Sequence, residues 1–291
     1  MIESGQLGVD IFFCLSGLLM SRILFVRRTP LSTFYKRRIS RILPAFVFFV
    51  ATVYGVAALL EAGPGWVEVA STLLFLRTYI PSQPPIWDTG LPIGHLWSLN
   101  VEEHCYIFLS VLTLVAFVRG REAWVLAGAG LAAMVLYFIY TTSPSMRSAS
   151  YEIRTEVAAS FLLVSAAYSL VRDRFAAEVR PWMPMAALAV ATLAYLPDPH
   201  WWTSAIVAPL ALAFTVNHLN EAPTLVRRSL ETAPMRLFGI CSYSIYLWQQ
   251  PFFAYKAMLP AGYALLGALL TGLASYYLWE NPWRTWINAR W

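Results

Sequence analysis

The chain has 291 residues, of which 58% are hydrophobic and only 13% charged, with a formal net charge of +5. A soluble domain is about half apolar and about a quarter charged, so this balance excludes a disordered chain, a coiled coil, a disulfide scaffold and nearly any soluble enzyme. A bilayer solvates such side chains directly, and each crossing needs about 20 mostly apolar residues. Taken in chain order, residues 7–26 form the first such stretch and carry Asp10 and Arg22. Residues 42–60 carry no charge. Residues 66–80 are short, contain Glu68 and Arg77, and read as a re-entrant or interfacial helix. Crossings then follow at 95–118, 123–141, 155–171, 181–197, 201–217, 237–255 and 257–279. The expected fold is therefore all-α: a single membrane-embedded helix bundle over 1–291, with about nine transmembrane helices.

The basic residues orient this bundle. Cytoplasmic loops carry the Lys/Arg excess of a membrane protein. Arg27, Arg28, Lys36, Arg37, Arg38 and Arg41 form the densest run, so that loop is placed inside. The N-terminus is then outside and the C-terminus inside. Sixteen of the 21 Lys and Arg fall in inner loops and four in outer segments. This distribution accounts for the basic charge without nucleic acid. MIESGQLGVD lacks the basic n-region of a signal peptide. Cys14, Cys105 and Cys241 are far apart in apolar stretches and read as buried thiols, with no disulfide framework and no metal-ligand spacing.

Charges inside a bilayer cost about 2.5–3.5 kcal/mol each on insertion scales and usually face a polar cavity. Here they gather at Asp10, Arg22, Arg38, Arg41, His95, Glu102, Glu103, His104, Arg154 and Glu156. His95, Ser98 and Glu102 lie at i, i+3 and i+7, on one helical face. A histidine near a carboxylate, with a serine between them, suits proton transfer or the orientation of a hydroxyl. The structural alternative is a His95 bonded to a backbone carbonyl, with Glu102 capping the helix start. Asp10 is equally readable as a carboxylate favoured by a helix N-terminus. Arg38 and Arg41, one turn apart, read either as positive-inside anchors or as a grip on the phosphates of an anionic donor.

Four blocks resemble the acyltransferase-3 family of integral membrane O-acyltransferases. They are GVDIFFCLSG from Gly8, FYKRRISRILP from Phe34, HLWSLNVEE from His95 and SYSIYLW from Ser242. Arg154-Thr155-Glu156 is a weaker match to an arginine and an acid that open a helix in that family. The resemblance implies transfer of an acyl group, most often acetyl, to a hydroxyl of a sugar or glycan. It implies acetyl-CoA as donor substrate with no tightly bound cofactor, and a bacterial inner membrane as location. His95, Glu102 and Asp10 become the catalytic candidates. Ser98, Arg154 and Glu156 become the acceptor-binding candidates, and Arg38 and Arg41 the donor-binding ones. Family members usually begin with one more helix, carrying an arginine and a histidine thought to be the base. This sequence opens at the family's second helix, and Gln249 stands where the family often has histidine. With the chain as it stands, His95 is the candidate base. With a preceding helix, His95 and Ser98 orient the acceptor, Glu102 fixes His95, and Asp10 supports the added pair. A transporter or carrier, or an inactive family member, are the competing readings. The acceptor and the oligomeric state are not legible in the sequence.

Overall fold

The computed structural model of the chain describes residues 4–60, 63, 65–80, 90–144, 146, 149–196, 202–255 and 258–291. Every element among them is helical. In chain order they are α1 (Ser4–Ser21), α2 (Leu31–Leu59), α3 (Trp66–Leu73), α4 (Trp97–Leu114), α5 (Glu122–Thr142), α6 (Ala149–Glu152) and α7 (Thr155–Ala158). Then come α8 (Ser160–Ser169), α9 (Met183–Leu193), α10 (Ala208–Asn217), α11 (Thr224–Leu230), α12 (Ala233–Ala254), α13 (Ala261–Ser275) and α14 (Asn281–Arg290). Arg147 and Lys256, two of the four outer basic residues, lie outside the described residues.

A helix stands at each expected crossing. Among the described residues four are long and apolar enough to span a bilayer: Gly5–Val26, Leu31–Leu59, Glu122–Thr142 and Ala261–Arg290. Thr155–Ser169, Met183–Leu193 and Thr203–Asn217 are apolar but shorter. The 66–80 stretch forms an eight-residue helix, which rises only about 12 Å. Its chain continues into turns, where Arg77 reaches back to Glu68 at 2.8 Å. The last helix departs from expectation. It does not stop at 279 but passes through a π turn, Tyr276–Glu280, straight into α14.

The chain forms two compact units, each discontinuous in sequence. The first holds residues 1–30 and 101–229. Its centre is α8, which packs on α1, α5 and α10. The sequence of α8, SFLLVSAAYS, is small or apolar on every side, and such a helix is buried all round. Lipid offers no hydrophobic drive between helices, so small residues and interhelical hydrogen bonds do the work. A Cβ on Gly17 would lie 2.1 Å from the Leu162 carbonyl oxygen, so α1 and α8 touch backbone to backbone there. Ser165 Oγ donates to the Cys14 carbonyl at 2.7 Å. Asn217 Nδ2 donates to Ser165 Oγ at 3.0 Å, and Ser21 Oγ meets Ser169 Oγ. All three cysteines are buried free thiols.

The second unit holds residues 31–100 and 230–291. Its core joins α2 (Phe46, Phe49), the 93–99 segment (Ile93, Leu96) and α12 (Tyr243, Leu247). Gly272 of α13 lets Ile245 of α12 approach closely, since a Cβ there would sit 2.6 Å from the Ile245 Cα. Pro44 stands inside α2, where it has no N–H for the helix ladder. Side chains bond the carbonyls around it. Trp279 Nε1 donates to the Pro44 carbonyl at 3.0 Å, and the Tyr243 hydroxyl donates to the Ile42 carbonyl at 3.3 Å.

Candidate active site

The unit boundary falls in the first turn of α4. Ser98 therefore belongs with His95, Arg38 and Arg41 in the second unit, and Glu102 belongs with Asp10, Arg154 and Glu156 in the first.

In the second unit, His95 lies in a single 3-10 turn, Gly94–Leu96, that leads into α4. It is 5% exposed. Among the described residues neither ring nitrogen has a partner in full hydrogen-bond geometry, while the Leu247 backbone carbonyl lies close enough to interact with the ring. Aromatic side chains wall the ring. Phe49 stands edge-on with ring centroids 5.5 Å apart, and Tyr246 lies at 5.0 Å. The Tyr246 hydroxyl donates to the His95 carbonyl at 2.5 Å and bonds Ser98 Oγ at 2.5 Å. Ser98 thus helps to hold the turn that presents His95. Burying an imidazole with no side-chain partner costs free energy, so at least one of its nitrogens is open to a group that the described residues do not supply.

Arg38 and Arg41 lie one turn apart on α2, half-buried and exposed respectively. Arg41 is within electrostatic range of Glu280, a buried carboxylate that accepts from Ser244 Oγ at 2.6 Å. Phe49, the residue against His95, stands eight and eleven positions further along the same helix. At 1.5 Å per residue this is a rise of about 12–16 Å from the two arginines.

In the first unit, Asp10 is 3% exposed and lies in the interior of α1, not in its first turn. A helix-terminus role for Asp10 is therefore corrected: its Oδ2 accepts from the Tyr195 hydroxyl at 2.6 Å. Tyr137 of α5 is within electrostatic range of both Asp10 and Glu152, so Asp10 sits at the end of this unit that carries the 149–156 segment. Glu102 is 2% exposed. It lies within α4 and does not cap its start. Its Oε1 accepts from Ser16 Oγ and from the Tyr106 hydroxyl. Arg154 places its guanidinium 4.2 Å over the Tyr151 ring. Glu156 accepts from the Tyr140 hydroxyl at 3.2 Å. His104 Nδ1 shares a 2.7 Å hydrogen bond with Thr155 Oγ1, tying α4 to the same segment.

Several of these residues escaped the reading of the sequence. Tyr106 follows Glu102 by four residues, a spacing that could have found it. Ser16 was inside a matched block. Nothing local marks Tyr195, which is 185 positions from Asp10. Tyr246 and Trp248 stand in the matched SYSIYLW block without an assigned role, and Phe49 reads as an ordinary apolar span residue.

Comparison with known proteins agrees with the matched blocks. The family model described as "Acyltransferase domain" matches residues 1–287. A Komagataeibacter xylinus protein named "Putative membrane-bound transacylase BcsY" is 26% identical over 96% of this chain and 76% of its own length. A Staphylococcus aureus protein named "Putative O-acetyltransferase SACOL0978" is 31% identical over 41% of this chain, but over only 22% of its own length. No solved structure matches the chain. With the family model covering all but the last four residues, the chain belongs to the acyltransferase-3 family, and acyl transfer is the chemistry that this membership assigns to it.

Proposed function

We propose that this protein moves an acyl group, acetyl in the first instance, from a CoA thioester at the cytoplasmic face of a bacterial inner membrane to a hydroxyl of a sugar or cell-surface glycan. The reading includes nine crossings, with the N-terminus outside and the C-terminus inside. The observation that carries it is His95, buried among aromatic rings with no side-chain partner for either nitrogen among the described residues.

The reaction needs two things from the protein. A hydroxyl is a weak nucleophile and requires a base, and the thioester carbonyl requires polarisation. In this reading His95 takes the hydroxyl proton as the oxygen attacks the acyl carbon. The C–O ester bond forms, the C–S bond breaks, and the proton passes to the departing thiolate. Tyr246 and Ser98 hold the His95 turn in position. Arg38 and Arg41 grip the phosphates of the donor, and their rise of about 12–16 Å along α2 to Phe49 is within the reach of an extended pantetheine arm. In the first unit Asp10 and Glu102 are the further catalytic candidates, and Arg154 and Glu156 bind the acceptor, since carboxylates and tyrosine hydroxyls suit a polyhydroxylated molecule.

The test is acetyl transfer by the full chain in vesicles, with labelled acetyl-CoA and a panel of glycans. His95→Gln is expected to reduce kcat by about 100-fold or more, in the range of a lost general base. Arg38→Ala is expected to raise KM for acetyl-CoA with a smaller effect on kcat. Normal acetylation by both variants, together with loss of a solute flux, would replace this reading with a carrier.

A further inference from the structure

The wall around His95 contains a second buried polar group without a partner, the indole Nε1 of Trp248. Trp248 lies on α12, one residue after Leu247 and two after Tyr246, both of which face His95. Phe49 stands edge-on to both rings, with centroids 5.5 Å from His95 and 5.4 Å from Trp248. Phe48 also touches the Trp248 ring, at 5.8 Å. The indole is therefore gripped on two sides, and its N–H is buried within protein. This is not the arrangement of an interfacial tryptophan, which keeps its N–H among headgroups. Trp279, on the same side of the core, shows the usual solution for a buried indole, because its N–H donates to the Pro44 carbonyl.

An indole N–H donates and never accepts, whereas a neutral imidazole can do both. Two groups without side-chain partners on either side of Phe49, a fixed donor and a donor-acceptor, suit a ligand that brings an acceptor oxygen and a hydroxyl to one aromatic wall. An acyl carbonyl under attack by an alcohol has these features. We infer that Trp248 is a catalytic residue, its Nε1–H donating to the carbonyl oxygen of the acyl thioester while His95 receives the proton of the attacking hydroxyl. The inference rests on the acyltransferase reading above and deepens it. As the hydroxyl oxygen bonds to the acyl carbon, the carbonyl π electrons move onto oxygen, and the Trp248 N–H meets that charge. Collapse restores the carbonyl, breaks the C–S bond and releases the thiol, protonated from His95. Such a donor is stronger at the oxyanion than at the ground-state carbonyl, so its effect falls on kcat. Phe49 and the indole face supply a dry wall in which this bond gains strength.

Trp248→Phe keeps an aromatic ring against Phe48 and Phe49 and removes the N–H. The full chain, reconstituted in vesicles with acetyl-CoA, is expected to lose about 100-fold in kcat, the scale of one lost oxyanion donor. KM for acetyl-CoA is expected to stay within about twofold, since a bond realised in the transition state leaves ground-state binding alone. Placing 3-benzothienylalanine at position 248 preserves the shape of the indole and replaces N–H with sulfur, so it reads the same loss where the Phe variant folds poorly. Unchanged kcat in either folded variant, or a raised KM at constant kcat, would overturn the role of Trp248 while leaving the acyltransferase reading intact. Absence of transfer by the unsubstituted protein would overturn both.

Discussion

Asp10 and Glu102 are carboxylates in apolar helices, and each is met by tyrosine hydroxyls from a distance or from one turn away. Glu102 accepts from two hydroxyls at a single oxygen. Removing that acceptor takes a buried hydrogen bond from both Ser16 and Tyr106, at about 0.5–1.5 kcal/mol per bond. Glu102→Leu is therefore expected to lower the melting temperature in detergent clearly, and Glu102→Gln, which keeps an acceptor oxygen, much less. A second buried cluster tests the sign of a pH effect. His218 is fully buried. It bonds the Tyr168 hydroxyl at 2.7 Å and faces Glu221, which also pairs with Arg172 at 2.6 Å. Burial holds the His218 imidazole below its usual range, against the pull of Glu221. The unfolded chain then binds the proton more readily than the folded one. Its contribution to stability is present above about pH 6.5 and is lost as pH falls below that value. Melting temperatures measured between pH 7.5 and 5 should decline less steeply in His218→Gln than in the unsubstituted chain.

Helices were the most legible elements, because hydropathy over 20 residues reports burial in lipid whatever the tertiary partners are. The arginine-carrying stretch 66–80 was recognisable as too short to cross for the same reason. Where a helix ends was less legible. The helix expected to stop at 279 runs on to Arg290, since a polar α14 leaving the hydrocarbon remains helical by packing on α2. Closeness between helices was also hidden. Gly8 and Gly17 sit in the same motif, yet a Cβ at Gly8 meets nothing, while one at Gly17 strikes the α8 backbone. Gly17→Ala is expected to destabilise the protein by about 1–3 kcal/mol, the usual scale of overpacking, whereas Gly8→Ala leaves it unchanged. Thermal unfolding of the two variants side by side checks this. Arg77 of the 66–80 stretch is 2% exposed and paired with Glu68. Taking away Glu68 leaves a buried cation uncompensated, which costs about 3–5 kcal/mol. Glu68→Leu should therefore be among the most damaging substitutions in this segment.

At the level of the whole molecule, fold class and family were both legible: the first from composition, the second from four ordered blocks. The chemistry of the site was legible as residue types but not as partnerships. His95 stands among rings contributed by α2 and α12, which no spacing along α4 could reveal. The charge asymmetry of the loops supplies the whole-molecule prediction. A fluorescent protein fused after Trp291 should mature in the cytoplasm. A cysteine introduced at Ser143 should react with a membrane-impermeant reagent added outside, and one at Arg119 should not. Labelling of Arg119→Cys from outside would invert the topology.

The helix made of α13, its π turn and α14 is 30 residues long, about 45 Å, against roughly 30 Å of hydrocarbon. Its final portion carries Trp279, Trp283 and Trp286 in successive ring contacts, closed by Arg290 over Trp286. Trp279 also stacks on Phe48 of α2. This aromatic ladder packs α14 along α2, and in the proposed orientation it holds Arg38 and Arg41 near the cytoplasmic headgroups. In that orientation the two arginines would meet phosphodiesters of the surrounding lipid as well as any soluble polyanion. Phosphatidylglycerol and similar anionic species thus become competitors for the same guanidinium groups, and the apparent affinity for a phosphorylated donor should weaken as their mole fraction in the membrane rises.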